Sequence, residues 1–189
     1  MEPNKILRFL EGVDAALVEY AEEGERLDLH LIGRSALILR YGLNIGTRDV
    51  DIVHIHGRRL ESKAVELFRE GTANAERFGF YLELVPQGLP PIPGAYFSRS
   101  EPIPGRWRVL RPMQPNPHDL AVTKLKRFHA KDREDLRILC DSGELDADRL
   151  RRGLESAFVW AEKDDQDHEV AARNLARVVE YLEGNARTL

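Results

Sequence analysis

The sequence predicts an α/β (α+β) protein with a helical C-terminal half, and three observations carry that expectation. Between residues 26 and 86, apolar residues recur with period two in three places and with helical period between them. Nine of the ten prolines lie between Pro86 and Pro117, a connector too Pro-rich for helix or central strand. From Asn116 onward only helical periodicity remains. The expected division is an α/β core with its connector over residues 1–115 and a helical region over 116–189.

The elements follow in order. Ile6, Phe9, Leu10, Val13, Ala16, Leu17 and Tyr20 have helical spacing, which predicts a helix over 4–23 with Asn4 as N-cap and Gly24 as its end. Leu27, Leu29 and Leu31 alternate with Arg26, Asp28 and His30, a strand broken by Gly33. Ser35 to Tyr41 form a short helix closed by Gly42 at C′. Arg48 to His56, rich in Val and Ile, form a second strand. A helix over Glu61–Phe78 and a third strand over Phe80–Val85 complete the core. Two short edge strands are expected inside the connector, at Ala95–Ser98 and Trp107–Leu110. Asn116-Pro117-His118-Asp119 starts a helix, with Asn as cap and Pro at the first position, running to His129. Further helices are expected at Asp132–Asp141, Ala147–Glu162 and Gln166–Glu183, with Gly143 and Gly184 as stops.

Composition narrows the class. At 189 residues, 42% hydrophobic and 32% charged, the chain is globular rather than disordered. The 28 Lys and Arg against 32 Asp and Glu leave a net charge of −4, so no global basic excess advertises nucleic acid. The single cysteine, Cys140, excludes an intramolecular disulfide framework and a cysteine-rich zinc site, and is expected in the core. With no signal-peptide pattern and no apolar run near the ~18 residues of a membrane span, a cytoplasmic location without membrane partners is expected.

The chemistry lies in Leu31-Ile32-Gly33-Arg34-Ser35 and Thr47-Arg48-Asp49-Val50-Asp51-Ile52. A strand ends in glycine and a helix begins at once. Gly33 lets the backbone approach a ligand closely, and the free amides of a helix start bind phosphate. Asp49 and Asp51 then open the next strand, and period two puts both carboxylates on one face. They repel each other unless a cation sits between them, and beside phosphates Mg2+ suits that place. A strand–Gly–helix turn alone is an ordinary βα turn, and Asp-x-Asp alone is often a solvated strand entrance. Their order and spacing together make the stronger signal.

In Ile32-Gly33-Arg34-Ser35 followed by Asp49-Val50-Asp51-Ile52, the chain resembles the nucleotidyltransferase superfamily with the DNA polymerase β-like fold. Arg34 departs from the second Gly or Ser of many members. The spacing to Asp49 lies near the long end of the usual range. The resemblance covers about residues 26–86 and implies a mixed sheet with flanking helices. It also implies transfer of a nucleoside monophosphate from a nucleoside triphosphate, with release of pyrophosphate. Asp49 and Asp51 would hold Mg2+, and Gly33, Arg34, Ser35, Thr47 and Arg48 would lie on the nucleotide side. Thr47 stands where related toxins carry a hydroxyl residue, a regulatory or self-modification site, although Thr in a turn is also ordinary.

His118-Asp119-Leu120-Ala121-Val122-Thr123-Lys124-Leu125 and Lys131-Asp132-Arg133-Glu134-Asp135-Leu136 resemble abortive-infection and type IV toxin–antitoxin nucleotidyltransferases and their uncharacterised bacterial relatives. That resemblance implies that Lys124 and Asp132 complete the site, with Thr123 in place of a serine. It implies a tRNA acceptor and an antitoxin partner. On a continuous helix, Lys124 falls inside the arc of Leu120, Ala121, Leu125 and Phe128, so its head either reaches an anion or snorkels to solvent. Asp132 shares a face with Leu136 and Leu139 and is either a site residue or a helix N-cap.

Weaker signals remain. Glu83, between Leu82 and Leu84, is the alternative to Asp132 as a third carboxylate, and Asp132 is preferred. His54-x-His56 has metal-ligand spacing without a further His or Cys cluster. Arg106–Arg111 and Lys124–Arg133, with Trp107 as a stacking face, fit either a nucleic-acid backbone or a solvated edge, and the edge is favoured slightly. A protein hydroxyl or a small molecule such as an aminoglycoside could replace tRNA as acceptor. A non-catalytic nucleotide-binding module is the alternative function.

Overall fold

The computed structural model describes residues 2–159 and 165–189, which group into two compact units. The first takes the chain up to Gln87 together with Ser100–Pro115, and the second takes Gly88–Arg99 and the chain from Asn116 onward.

The first unit contains α1 (Glu2–Leu17), β1 (Leu27–His30), α2 (Gly33–Tyr41), β2 (Asp49–Val53), α3 (Arg59–Phe68), α4 (Ala73–Phe78), β3 (Tyr81–Val85), β4 (Glu101–Pro102) and β5 (Leu110–Gln114). β5 lies between β1, to which it is parallel, and β4, to which it is antiparallel. β2 and β3 pair in parallel. An antiparallel bridge, Leu31 to Ile52, joins the end of β1 to β2. The arrangement is therefore mixed, with helices around it, as an α/β nucleotidyltransferase-like fold requires. Leu27, Leu29, Leu31, Val50, Ile52 and Leu82 are buried, as are the apolar stripes of α1 and α3. Phe9 of α1 meets Phe68, Phe78 and Phe80 with ring centroids 5.6, 5.9 and 5.9 Å away. Asp14 is buried on α1 and accepts the N–H groups of Arg108, Val109 and Leu110 at 3.0, 2.8 and 2.7 Å, which pins the start of β5 to that helix.

Several expectations need correction. Asn4 lies inside α1, which begins at Glu2 and ends at Leu17. The helix expected over Glu61–Phe78 is two helices, because Gly71 turns the chain left-handed (φ 81°) and Thr72 caps a new start, accepting the Ala75 N–H at 3.2 Å. Ala95–Ser98 is not an edge strand; α5 (Tyr96–Arg99), a single helical turn, occupies that stretch. The strand expected at Trp107–Leu110 begins only at Leu110, and it is central despite Pro112. Pro112 uses its carbonyl to accept the Ile103 N–H at 2.8 Å, so its missing donor faces the two-residue β4 and costs nothing on the β1 side.

The second unit contains α5, α6 (Pro117–Val122), α7 (Ala130–Asp141), α8 (Ala147–Ala157) and α9 (Gln166–Leu182). Asn116 caps α6 by accepting the His118 N–H at 3.0 Å, with Pro117 in the first turn. The helix expected to reach His129 stops at Val122. The Thr123 hydroxyl donates back to the Leu120 carbonyl at 2.7 Å, and Lys124 and Leu125 make tight i→i−3 bonds. Phe128 then takes a left-handed conformation, φ 51°. α8 ends at Ala157, and residues 160–162 of the helix expected to Glu162 lie outside the described residues. Tyr96, Leu120, Leu136, Leu139 and Leu150 are buried, and a Cβ on Gly153 would stand 3.1 Å from Val122, so α6 and α8 pack closely. Cys140 is buried, and burial pushes its thiol up to about 11, which keeps it unreactive.

No helix among the described residues is long and apolar enough to cross a membrane.

Candidate active site: three carboxylates beside the α2 turn

The α/β unit builds this site from the alternation of β2. Val50 and Ile52 are buried on one face, and Asp49 and Asp51 project from the other, each half-buried. The parallel register sets Asp49 beside Tyr81 and Asp51 beside Glu83. Residues paired across strands share a face, so Glu83, exposed at its end, joins the aspartates. Asp49, Asp51 and Glu83 each offer a carboxylate oxygen within 4.8 Å of the others. Their field is felt at Tyr81, where burial and the negative charges of Asp49, Glu70, Glu83 and Asp51 push the phenol above its ordinary range.

Gly33 is required here twice over. Its φ is 71°, and a Cβ would stand 2.0 Å from Asp51 Oδ2, so the carboxylate packs against the glycine backbone. The Ile32 N–H donates to the Asp51 carbonyl at 2.9 Å, which locks the turn to β2. Ile32, at the N-cap of α2, offers no side-chain cap, and no acidic residue occupies the first turn, so the positive end of that helix suits an anion. Arg34, in that first turn, is half-buried. Ser35 is fully buried, and its hydroxyl donates to the Ile32 carbonyl at 3.3 Å, so it offers a ligand its backbone rather than its side chain. The Thr47 hydroxyl donates to the Asp49 carboxylate and Arg48 is exposed. The all-oxygen donor set of Asp49, Asp51 and Glu83 fits a hard divalent cation such as Mg2+ rather than a thiophilic one.

The other site residues expected from the sequence lie in the second unit and have partners there. Lys124 is buried, in turn rather than helix, and its Nζ pairs with Asp135 at 2.7 Å. Asp132 is buried at the third position of α7. It accepts both arms of the Arg127 guanidinium at 2.8 Å and reaches back to the His129 N–H at 3.0 Å. It completes half of a capping box and is not itself the N-cap. Burial pushes the Asp132 carboxyl up, but the Arg127 bonds and charge and the His129 N–H outweigh it and hold it below the usual range. The basic stretch 124–133 is largely neutralised, since Lys126 also pairs with Asp167, at 2.6 Å. In the first unit, Arg111 pairs with Asp28 at 2.5 Å, and Trp107 donates its indole N–H to the Ile103 carbonyl at 2.8 Å. The structure brings Glu83 to the two aspartates, and the signal for it in the sequence is that a parallel neighbour of β2 sets its middle residue beside Asp51. Asp14 and Glu61, both buried acids, carry no motif that marks them.

The model of the family described as "Nucleotidyltransferase of unknown function (DUF6036)" matches residues 8–181 of this chain. No curated protein and no solved structure matches it.

Proposed function

The chain belongs to that nucleotidyltransferase family, and on this premise we propose that it moves a nucleoside monophosphate from a nucleoside triphosphate to an acceptor hydroxyl. The observation that carries the reading is the convergence of Asp49, Asp51 and Glu83 within 4.8 Å beside the Gly33 turn. These three carboxylates would hold a Mg2+ ion. When bound, such an ion supplies charge neutralisation and orientation to triphosphate oxygens. The N–H groups at the start of α2 bind the phosphate tail, and Gly33 keeps the approach open. Arg34 and Arg48 add positive charge on the nucleotide side, and Thr47 fixes the orientation of Asp49 through their hydrogen bond. The acceptor oxygen forms a bond to the α-phosphorus as the α–β bridging bond breaks. Pyrophosphate leaves, and a carboxylate on the exposed side, Glu83, takes the acceptor proton.

Lys124 and Asp132 are structural in this reading. Their ion pairs with Asp135 and Arg127 support that role. The acceptor implied by resemblance is a tRNA end, in a toxin with an antitoxin partner. A protein hydroxyl and an aminoglycoside-type small molecule are the competing acceptors.

The test is transfer from each labelled nucleoside triphosphate in Mg2+, with total tRNA, protein extract or aminoglycosides as acceptor. Label moves to one acceptor class in the wild type, and none moves in Asp49→Asn/Asp51→Asn. Mg2+-dependent nucleotide binding without transfer to any acceptor would instead identify a non-catalytic binding module.

A further inference from the structure

A second ligand cluster sits where β2 leaves its sheet, and it uses none of the three carboxylates above. His54 and His56 flank Ile55 in the loop that leads to α3. His54 Nε2 and His56 Nδ1 face each other at 3.2 Å, with ring centroids 4.4 Å apart and planes at 75°. Behind them stands Glu61, buried to 1% exposure at the first turn of α3. Its carboxylate accepts the Ile55 N–H at 3.1 Å and meets His54 Nδ1 at 2.6 Å.

That carboxylate sets the chemistry of the pair. An ionised Glu61 accepts at Nδ1, so the proton of neutral His54 lies there and Nε2 presents its lone pair. A buried carboxylate behind an imidazole, with the opposite nitrogen turned outward, is the support that orients a metal-ligating histidine. Two imidazole nitrogens about 2.0–2.1 Å from one tetrahedral ion stand about 3.3 Å apart, close to the separation between His54 and His56. His56 can move its proton from Nδ1 to Nε2 and stay neutral, so both facing nitrogens can offer a lone pair. His56 is exposed, which leaves the remaining coordination positions open to water or a further ligand.

We propose that His54 and His56, oriented by Glu61, form a binding site for a borderline divalent transition ion of the Zn2+ type, separate from the acidic site. Imidazole pairs favour such ions strongly over Mg2+, whereas an all-carboxylate site discriminates far less and also suits Mg2+.

The test is calorimetry of the full chain with Zn2+ in excess Mg2+, which occupies the carboxylate site, alongside visible absorption with Co2+ as a nitrogen-ligand reporter. Wild type takes one equivalent. His56→Ala, at an exposed position, loses that binding while its circular dichroism is unchanged. Glu61→Gln keeps a hydrogen-bond acceptor but lacks the charge, and it weakens binding by about 10–100-fold. No Zn2+ bound in excess Mg2+ by the wild type, or equal affinity in wild type and His56→Ala, would overturn the proposal and leave a histidine–histidine hydrogen bond only.

Discussion

The helical unit buries three carboxylates among its described residues, and each meets a cation: Asp119 with Arg99, Asp132 with Arg127, and Asp135 with Lys124. The α/β unit instead gathers Asp49, Asp51 and Glu83 within 4.8 Å of one another. The pairs of the helical unit fix one arrangement of a scaffold: removing any of the three cations leaves a buried carboxylate uncompensated, and in the Lys124–Asp135 pair, buried on both sides, removing either member leaves a charge in the interior. Like charges drawn together cost stability, and the arrangement makes sense where a cation arrives with the substrate. On the function proposed above, the same residue type serves structure in one unit and chemistry in the other. The two uses should separate cleanly under mutation.

The largest contrast is between activity and stability at the two sites. Asp49→Asn/Asp51→Asn should bring nucleotidyl transfer to background while Tm stays level or rises slightly, because mutual repulsion is removed. Thermal unfolding and the labelled transfer assay read both outcomes; a large fall in Tm would mean that these aspartates are scaffold. Next, Asp135→Ala should destabilise by about 3–5 kcal/mol, since Lys124 is left buried and unpaired. Lys124→Met/Asp135→Leu should recover most of that in urea unfolding. If Asp135→Ala costs nothing, the pair is not part of the scaffold. Gly33→Ala should cost about 1–3 kcal/mol from its left-handed backbone alone. It should also abolish nucleotide binding, because the new Cβ occupies the place of the Asp51 carboxylate. Nucleotide titration separates the two effects.

The effect with the narrowest range of conditions concerns acid. Burial, helped by the Arg58 charge and opposed by Asp28, pushes the His30 imidazole down to about 4. In the unfolded chain it titrates near 6.5. As pH falls below about 6.5 the unfolded state takes up the proton first, so stability drops until pH reaches about 4. His30→Phe should flatten that part of the Tm–pH profile, and an unchanged slope would place its origin at other groups.

What could be seen in the sequence depended on local rules. Gly33, Asp49 and Asp51 were legible because a turn needing glycine and a period-two strand leave marks in consecutive residues. Gly42 at the end of α2 and Asn116-Pro117 at the start of α6 were legible for the same reason. Glu83 was harder, because its place beside Asp51 depends on the register of two strands separated by α3 and α4. The surroundings of Lys124 were not legible, because Leu120, Ala121, Leu125 and Phe128 fit a continuous helix, whereas α6 ends at Val122, the Thr123 hydroxyl bonds back to Leu120, and Lys124 meets Asp135. Pro112 misled in the opposite direction, since a proline can sit in a central strand when its nitrogen faces a short neighbour.

On the proposed function, the carboxylates gathered on β2 and β3, rather than those paired in the helical unit, hold the metal–nucleotide complex. Calorimetric titration of a non-hydrolysable nucleoside triphosphate analogue in Mg2+ tests it most directly, with Glu83→Gln and Asp132→Asn compared side by side. Asparagine at 132 still accepts the His129 N–H, so the helix start survives. Binding should depend on Mg2+, be lost in Glu83→Gln and be retained in Asp132→Asn. Retention in Glu83→Gln with loss in Asp132→Asn would contradict it.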